Sequence, residues 1–409
     1  MEFVEISNQN ANQRMRRNTY LTLRKRNKRE ESCRKSFTSA PPPPGGRILT
    51  RKVKPIDLFP EITKDYNERK ERKEELKAAH EEDPINNPAP SKATIVARVP
   101  TEEENRSALQ TVKEKFISLD SGYHKIYDER TSEVVGIVEF MNFDDLTTEQ
   151  FEDLNFLCLF LHKCKEFVNP VSSKSRKCAG IMWMIGWQKG YEGLKIIGRY
   201  RCQIRIDANP LGFEALMGES LRAGEVVWKL FHGFGDVAVE RNHEHMKRSG
   251  IPSFADNNFP KVPGDESPFA FASNLAFSSN GFYNHQHVDS GDLSELPLAF
   301  ALVIPTSRIT GEIATTGYDV QNGQFIFRDI RVALDFKPRR ICRMIFRAQE
   351  YAHGTLLPYE PTIYTKLGIA LQVATKASQT CQKYIRGDYD DDTDKYVGGV
   401  DELLGYFSD

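Results

Sequence analysis

The sequence lacks the features that mark several common classes of protein. No apolar run approaches the roughly 18 residues that span a bilayer, and no apolar segment follows the first charges as in a secretory signal. The seven cysteines include no CxxC pair, so neither a disulfide framework nor a zinc ribbon is indicated. Reduced thiols in the cytosol or nucleus are the natural interpretation. The formal net charge of −1 gives the whole molecule no bulk attraction for nucleic acid.

Length and composition are compatible with a substantial folded core. The chain has 409 residues, of which 39% are hydrophobic and 11% aromatic. This length allows one large domain or two ordinary ones. No internal repeat is visible, so a repeat protein is not indicated.

Residues 1–92 have a different composition from the remainder. Ten basic and two acidic residues lie within 14–35, four prolines follow at 41–44, and 64–83 is densely charged. Few apolar residues are present to offset the ordering entropy, so we expect a mostly disordered basic region. The basic run predicts nuclear import or contact with nucleic acid. A solvated tail and a cytoplasmic location remain alternatives.

The rest of the chain predicts an α+β fold, with a folded domain over 93–378 and an acidic tail over 379–409. A short strand is expected at 93–99, a hairpin over 123–140, and a helix that stops before Pro170. Further helices are expected at 211–231 and 236–248. After residue 269 short strands alternate with turn residues, as in a sandwich or jelly roll; they are expected at 274–278, 298–304, 325–327, 332–336, 341–347 and 367–373.

A metal site is suggested by His287-Val288-Asp289 and by His353, which lies 64 residues after Asp289. Residues two apart on a strand project to the same face, so His287 and Asp289 can face one site. Two imidazoles and a carboxylate suit Fe(II), but they also suit Zn(II) and Ni(II). An HxD triplet also occurs by chance, and a strand histidine is often only a polar residue with its hydrogen bonds satisfied.

Lys366 begins the strand expected at 367–373. A buried cation there could pair with the distal carboxylate of 2-oxoglutarate while the keto acid end chelates the metal. A surface lysine at a strand end is the commoner alternative.

Two other clusters are predicted to have no metal role. His243 and His245 fall two apart on an expected helix, where side chains diverge, so they are assigned to the surface. The acidic run 388–394 lacks the glycine and terminal glutamate of an EF-hand loop and is assigned to the solvated tail.

Between residues 126 and 376 the sequence resembles the fungal Tet-like 2-oxoglutarate/Fe(II) oxygenase family, within the Tet/JBP-like dioxygenases. The matching stretches are 153–158 (DLNFLC), 180–190 (GIMWMIGWQKG), 250–256 (GIPSFAD), 281–284 (GFYN), 287–292 (HVDSGD), 317–320 (GYDV), His353 and 365–368 (TKLG). The resemblance implies a double-stranded β-helix (a jelly-roll or cupin-like core) flanked by helices. It also implies that His287, Asp289 and His353 hold Fe(II). The family usually has Arg where Lys366 stands, so binding of 2-oxoglutarate depends on a different cation here.

The same resemblance implies a dioxygenase that oxidises a methylated base, such as 5-methylcytosine, in DNA or RNA. Phe282 and Tyr283 could line the pocket for a flipped base. Candidates for phosphate contact are Lys174, Arg176, Lys177, Arg199, Arg201 and Arg205. A protein or small-molecule hydroxylase remains open because a fold does not fix its substrate. An inactive relative that only binds nucleic acid or protein remains open too.

Overall fold

A computed structural model describes residues 42–91, 95–171, 180–190, 196–259, 267–392 and 395. These residues form the predicted α+β fold, in which helices flank a double-stranded β-helix core. None of the helices in this part of the chain is long and apolar enough to cross a membrane.

The strands, in chain order, are β1 (Arg47–Arg51), β2 (Ile117–Leu119), β3 (Gly122–Asp128), β4 (Glu133–Asn142), β5 (Ile181–Lys189), β6 (Ile197–Arg199), β7 (Asn274–Ser279), β8 (Asn284–His287), β9 (Ala299–Ser307), β10 (Gln321–Asn322), β11 (Phe325–Phe327), β12 (Val332–Leu334), β13 (Arg340–Phe346), β14 (His353–Thr355), β15 (Pro358–Tyr359) and β16 (Tyr364–Gln372). The helices are α1 (Pro60–Glu82), α2 (Glu102–Lys115), α3 (Thr148–Cys164), α4 (Gln203–Ala208), α5 (Pro210–Gly218), α6 (Ser220–Arg248) and α7 (Thr375–Ile385), with a short 3₁₀ turn at Phe143–Asp145.

Two sheets form the core. The large one has nine strands in the order β1-β3-β4-β13-β9-β16-β7-β5-β6, and the small one has five in the order β2-β12-β11-β14-β8. Strand β16 pairs antiparallel with both β7 and β9, which places Lys366 opposite Pro305. Strand β8 pairs antiparallel with β14. The central strands β9, β13 and β16 are rich in buried apolar residues, as expected where both faces of a sheet are covered.

Helices α3 and α6 cover the outer face of the large sheet. A reciprocal capping box between Thr147 and Gln150 begins α3. Helix α6 kinks at Gly235, whose backbone is not helical and where a Cβ atom would collide with Ile345 of β13. The helix predicted at 211–231 therefore corresponds to α5 and the first part of α6. The helix predicted at 236–248 corresponds to the part of α6 after the kink.

The expectation of disorder up to residue 92 does not hold for residues 42–91. Strand β1 pairs parallel with β3, and the start of α1 buries Phe59 and Ile62 in a cluster with Val112 and Phe116. A few apolar residues at one end of an otherwise charged helix are sufficient to anchor it. The basic run at 14–35 lies outside the described residues.

Two predicted boundaries also differ from the structure. Ala93 and Thr94 lie outside the described residues, and residues 95–99 form no strand. Helix α7 crosses the expected start of the acidic tail at 379, and it buries Thr380 and Cys381. The apolar side of this helix, not the net charge of the segment, determines where packing ends.

Candidate metal centre

His287, Asp289 and His353 come together at the end of the small sheet. His287 ends β8 and His353 begins β14, where the two residues are direct cross-strand partners. One donor atom from each of the three residues lies within 4.8 Å of the others. The Nε2 atoms of His287 and His353 lie 3.3 Å and 3.6 Å from the two carboxylate oxygens of Asp289. Across the described residues, this is the one group of three such side chains that could hold a metal ion.

Backbone carbonyls orient both imidazole rings. Nδ1 of His287 lies 2.8 Å from the carbonyl oxygen of His285, and Nδ1 of His353 lies 3.1 Å from that of Tyr351. A nitrogen that faces a carbonyl must carry the proton, so each neutral ring presents its Nε2 lone pair to the other ligands. Two lone pairs and a carboxylate then face one another, an arrangement that a cation between them stabilises.

Aromatic packing keeps His353 neutral and fixed. Its ring stacks on Phe325 at 5.6 Å between centroids and meets the edge of Phe346 at 4.9 Å. Burial, reinforced by the neighbouring His287, lowers the pKa of His353 well below its usual value. Burial would raise the pKa of Asp289, but contact with His287 and the electrostatic interaction with both imidazoles lower it on balance. Both groups therefore favour the protonation states that bind a metal.

A β-bulge positions the ligands. The β8–β14 register shifts, so that Thr355 pairs with Asn284 while His353 pairs with His287. Two residues of β8 thus lie opposite Gly354 alone, and Asn284 and His287 both line the same cavity although they are three apart. A Cβ atom at Gly354 would lie 2.7 Å from the carbonyl oxygen of Asn284. The position is crowded and only glycine fits.

A cavity of about 350 Å³ separates the two sheets beside the three ligands. Lys366 lines it from β16 in the large sheet and is buried, so the alternative of a surface lysine is wrong. Its ammonium group donates to the carbonyl of Gly323 and lies 5.1 Å from the ring centre of Phe336. Burial lowers the pKa of Lys366 to about 8, although the charges of Glu360 and Asp335 act in the opposite direction.

The start of α1 contacts the strand that carries the first ligand. The Thr63 hydroxyl lies 3.1 Å from Nε2 of His285, and the Tyr283 hydroxyl lies 3.1 Å from its Nδ1. Phe59 packs edge-on against Tyr283 at 5.8 Å. His285 therefore connects α1 to the carbonyl that orients His287. Asn284 and His285 were not predicted from the sequence, although the four consecutive polar residues of β8 were a signal.

The remaining candidate residues lie in different parts of the fold. Phe282 lines the metal cavity, whereas Tyr283 is buried in the cluster beneath α1. Arg205 donates to the carbonyls of Lys165 and Val168, and Arg199 lines a different cavity. Arg201 lines that second cavity as well, while Lys174, Arg176 and Lys177 lie outside the described residues.

The histidine pair on α6 is helical as predicted, but its assignment to the surface is wrong. Nδ1 of His243 lies 2.7 Å from the carbonyl oxygen of Ala270. His245 is buried, with its Nδ1 3.5 Å from a carboxylate oxygen of Glu295. Both side chains thus contribute to packing of the helix.

The chain is similar in sequence to a known protein family and in structure to solved proteins. A model described as the Tet-like 2OG-Fe(II) oxygenase superfamily matches residues 147–358, slightly more than half the chain. No curated protein matches the sequence.

Three solved structures align with much of the chain at low sequence identity. NgTET1 in complex with 5mC DNA has a TM-score of 0.36 and 12% identity, covering 66% of this chain and 87% of its own. A 2OG-Fe(II) oxygenase family oxidoreductase from Burkholderia pseudomallei has a TM-score of 0.29 and 8% identity, with 58% and 88% covered. A Pseudomonas putida prolyl-4-hydroxylase has a TM-score of 0.26 and 13% identity, with 58% and 92% covered.

Proposed function

This chain belongs to the Tet-like 2OG-Fe(II) oxygenase superfamily, and on that premise we propose that it is an active dioxygenase that oxidises a methylated nucleic-acid base such as 5-methylcytosine. The superfamily depends on 2-oxoglutarate and Fe(II). The observation that carries the proposal is the convergence of His287, Asp289 and His353 beside an open cavity.

The donor set fits Fe(II). Two neutral imidazoles and one carboxylate on one face of a metal leave the remaining positions for a co-substrate and O₂. The backbone hydrogen bonds at Nδ1 hold both rings in the orientation that ligation requires. When bound, the metal and 2-oxoglutarate supply oxidation by O₂, coupled to decarboxylation that yields succinate and CO₂.

Lys366 is the residue proposed to hold the distal carboxylate of 2-oxoglutarate. It faces the cavity from the sheet opposite the metal ligands, and its ammonium group is enclosed beside Phe336. Charge pairing in such a poorly solvated place is stronger than in water. Lysine binds a carboxylate as a point charge and not through a planar fork, so the orientation of the co-substrate depends more on the cavity wall.

Phe282 supports a base as the substrate. Enzymes that act on a base remove it from the helical stack and hold it against aromatic or apolar side chains. Phe282 lines the metal cavity together with Met182 and Met184 of β5. These side chains offer an apolar wall against which a flat base could pack while water is excluded from the metal.

A protein or small-molecule hydroxylase is the second candidate, and one observation favours it. Arg205, one of the candidates for phosphate contact, is occupied by hydrogen bonds to the carbonyls of Lys165 and Val168, and Arg199 faces a different cavity. Neither arginine lines the metal cavity.

The first test is anaerobic titration of the full chain with Fe(II) and 2-oxoglutarate. A weak visible charge-transfer band should appear, and aerobic incubation with a duplex containing 5-methylcytosine should release succinate. The His287→Ala and Asp289→Ala variants should lose both signals. The His232→Ala variant should retain them, because His232 pairs with Glu240 on α6.

The charge-transfer band tests binding of the metal and 2-oxoglutarate, whereas succinate release with different substrates tests the substrate class. If the band appears but succinate is released only with peptides or small molecules, the protein is a protein or small-molecule hydroxylase and a methylated base is not its substrate. A band without turnover on any substrate would indicate an inactive binding relative. Absence of a band would remove the dioxygenase proposal itself.

We also propose nuclear import through the basic run at 14–35. The sequence there supports it, with ten basic residues in a short segment. The full chain joined to a fluorescent protein should concentrate in nuclei, and glutamine at Arg24, Lys25 and Arg26 should distribute it evenly between nucleus and cytoplasm.

A further inference from the structure

We propose that a second cavity binds a small organic monocarboxylate with a flat apolar body. It lies on the other side of β5 from the metal centre: Ile185 faces it, whereas Met182 and Met184 face the metal cavity. Helices α3 and α5 and the end of β6 complete its wall.

The size and wall of this cavity suit a small ligand. Its volume is about 430 Å³, within the range of known ligand pockets. Four phenylalanines line it: Phe160, Phe167, Phe213 and Phe254. An aromatic or similarly flat body could therefore be buried against them.

A partly neutralised cation lies in the same wall. Arg199 donates to the side-chain oxygen of Asn257 at 2.7 Å and faces the sulfur of Met217 at 3.4 Å. Its guanidinium carbon lies 5.6 Å from the ring centre of Trp187. A thioether is a weak acceptor, and within the part of the chain that the structure describes no carboxylate forms an ion pair with Arg199 or Arg201. Both cations face the cavity.

Arg199 is half-buried, so its charge is partly removed from water. Burial lowers the pKa of Arg199 to about 10, and the nearby charge of Arg201 acts in the same direction, whereas the charge of Asp256 opposes this decrease without cancelling it. The group still carries its charge at neutral pH. A desolvated charge lowers stability unless it is paired, so a carboxylate that enters the cavity would offset a cost already present in the fold.

The other ionisable groups of the cavity wall favour a ligand with a single negative charge. Glu214 lines the cavity too and would repel a second anionic group. Cys164 stays neutral because burial raises the pKa of its thiol. The duplex backbone is too broad to enter a cavity among helices, so a nucleic-acid phosphate is a poorer match than a small carboxylate.

The test compares 3-phenylpropionate with its neutral amide, 3-phenylpropanamide, by calorimetry on the full chain. The carboxylate should bind the wild-type protein about tenfold more tightly than the amide, as one charge-assisted hydrogen bond predicts. The Arg199→Gln variant should lose this preference. Arg205→Gln is the matched control, since Arg205 donates to backbone carbonyls of its own neighbourhood, and it should bind as wild type does.

Two further variants test whether the probe binds in the second cavity and not in the metal cavity. A Cβ atom at Gly218 would meet nothing within 4 Å, so Gly218→Leu should fill the cavity and abolish binding with the circular dichroism unchanged. Lys366→Met should leave binding intact, because Lys366 lines the metal cavity. Weak or equal binding of both probes by the wild type would overturn the proposal. So would loss of binding in Lys366→Met, wild-type binding by Gly218→Leu, or displacement of the carboxylate by an unmodified duplex.

Discussion

The missing side chain at Gly354 allows β14 to lie against the bulge of β8. The carbonyl oxygen of Asn284 and the backbone of Gln286 occupy the space that a methyl group would need. This close approach fixes the two strands that carry His287 and His353. The geometry of the metal ligands therefore depends on a residue that binds nothing itself.

Gly354→Ala should weaken both the fold and the metal site. Because the bulge must shift to admit the methyl group, we expect the free energy of unfolding to fall by about 1–3 kcal/mol. Urea denaturation measures this decrease, and Co(II) titration should show weaker binding with an altered visible spectrum. Gly291→Ala is the control, since a Cβ atom there meets nothing within 4 Å. Equal behaviour of the two variants would contradict the role assigned to Gly354.

The charge of Lys366 predicts how 2-oxoglutarate binding depends on pH. Its pKa of about 8 lies below the usual lysine value, so the ammonium form dominates below that pH and is lost as pH rises through it. A bound carboxylate favours the charged form and moves the transition upward. Affinity for 2-oxoglutarate, measured without O₂ and with Mn(II), should therefore fall above pH 8.

The Lys366→Arg variant provides the comparison. A guanidinium group remains charged throughout this range, so the affinity of this variant should change little between pH 7 and pH 9.5. A wild-type affinity that is equally flat would indicate that Lys366 does not contact the co-substrate.

At the residue scale the sequence predicted which side chains meet, but not the local backbone that brings them together. His287 and Asp289 do meet at one site, but β8 ends at His287 and Asp289 follows the strand, so alternation along a strand is not what brings them together. The distant His353 was identified by ligand chemistry and resemblance. Asn284 was missed because a bulge breaks that alternation. The role of His285 was missed because it depends on a helix expected to be disordered.

Helix α1 shows how an element can be anchored at one end only. Ile62 is fully buried beside Phe59, and Thr63 contacts His285 behind the metal ligand. Most of the following turns are charged and exposed, with ion pairs such as Arg69–Asp65. The average composition of residues 1–92 is polar, so it did not reveal that the two apolar residues Phe59 and Ile62 anchor the start of α1.

Ile62→Ala should destabilise the protein through the cavity that it creates. We expect about 3 kcal/mol in urea unfolding, together with weaker Co(II) binding, because the packing of α1 on β8 loosens. Leu76→Ala on the same helix is the control. Leu76 is 47% exposed, so its truncation should change stability by about 0.5 kcal/mol or less. Unchanged metal binding in a folded Ile62→Ala protein would show that α1 does not support the site.

Other elements were predictable to different extents. The 123–140 hairpin and the strand at 325–327 agree with β3, β4 and β11, because turn residues and β-branched runs are local signals. Strand β5 was not predicted, although it separates the two cavities. The register between sheets, which places Lys366 opposite the metal ligands, arises from pairing between distant segments and has no local signal.

Charge is divided unevenly over the whole molecule. Residues 1–41 contain ten basic and four acidic residues, a net charge of +6, so residues 42–409 carry −1 − 6 = −7. A body of that charge repels nucleic acid, and electrostatic attraction to DNA must come from the N-terminal segment.

Replacing Arg24, Lys25 and Arg26 with glutamine in the full chain should therefore weaken binding to any duplex, methylated or not. The slope of log affinity against log salt should become shallower by about 0.9 for each phosphate that is no longer neutralised. Fluorescence anisotropy at several salt concentrations measures both effects. Replacing Lys70, Arg72 and Lys73 on the exposed part of α1 removes the same charge and serves as the control. Equal weakening in both variants would assign the attraction to net charge and not to the N-terminal segment.

The two histidine ligands belong to the small sheet, whereas Lys366 belongs to the large one. A co-substrate held by both would act as a non-covalent cross-link through the interior of the sandwich. Metal alone should slow amide hydrogen exchange only in β8 and β14, while metal and 2-oxoglutarate together should extend that protection to β16. Local opening of the two sheets would then become a single cooperative event.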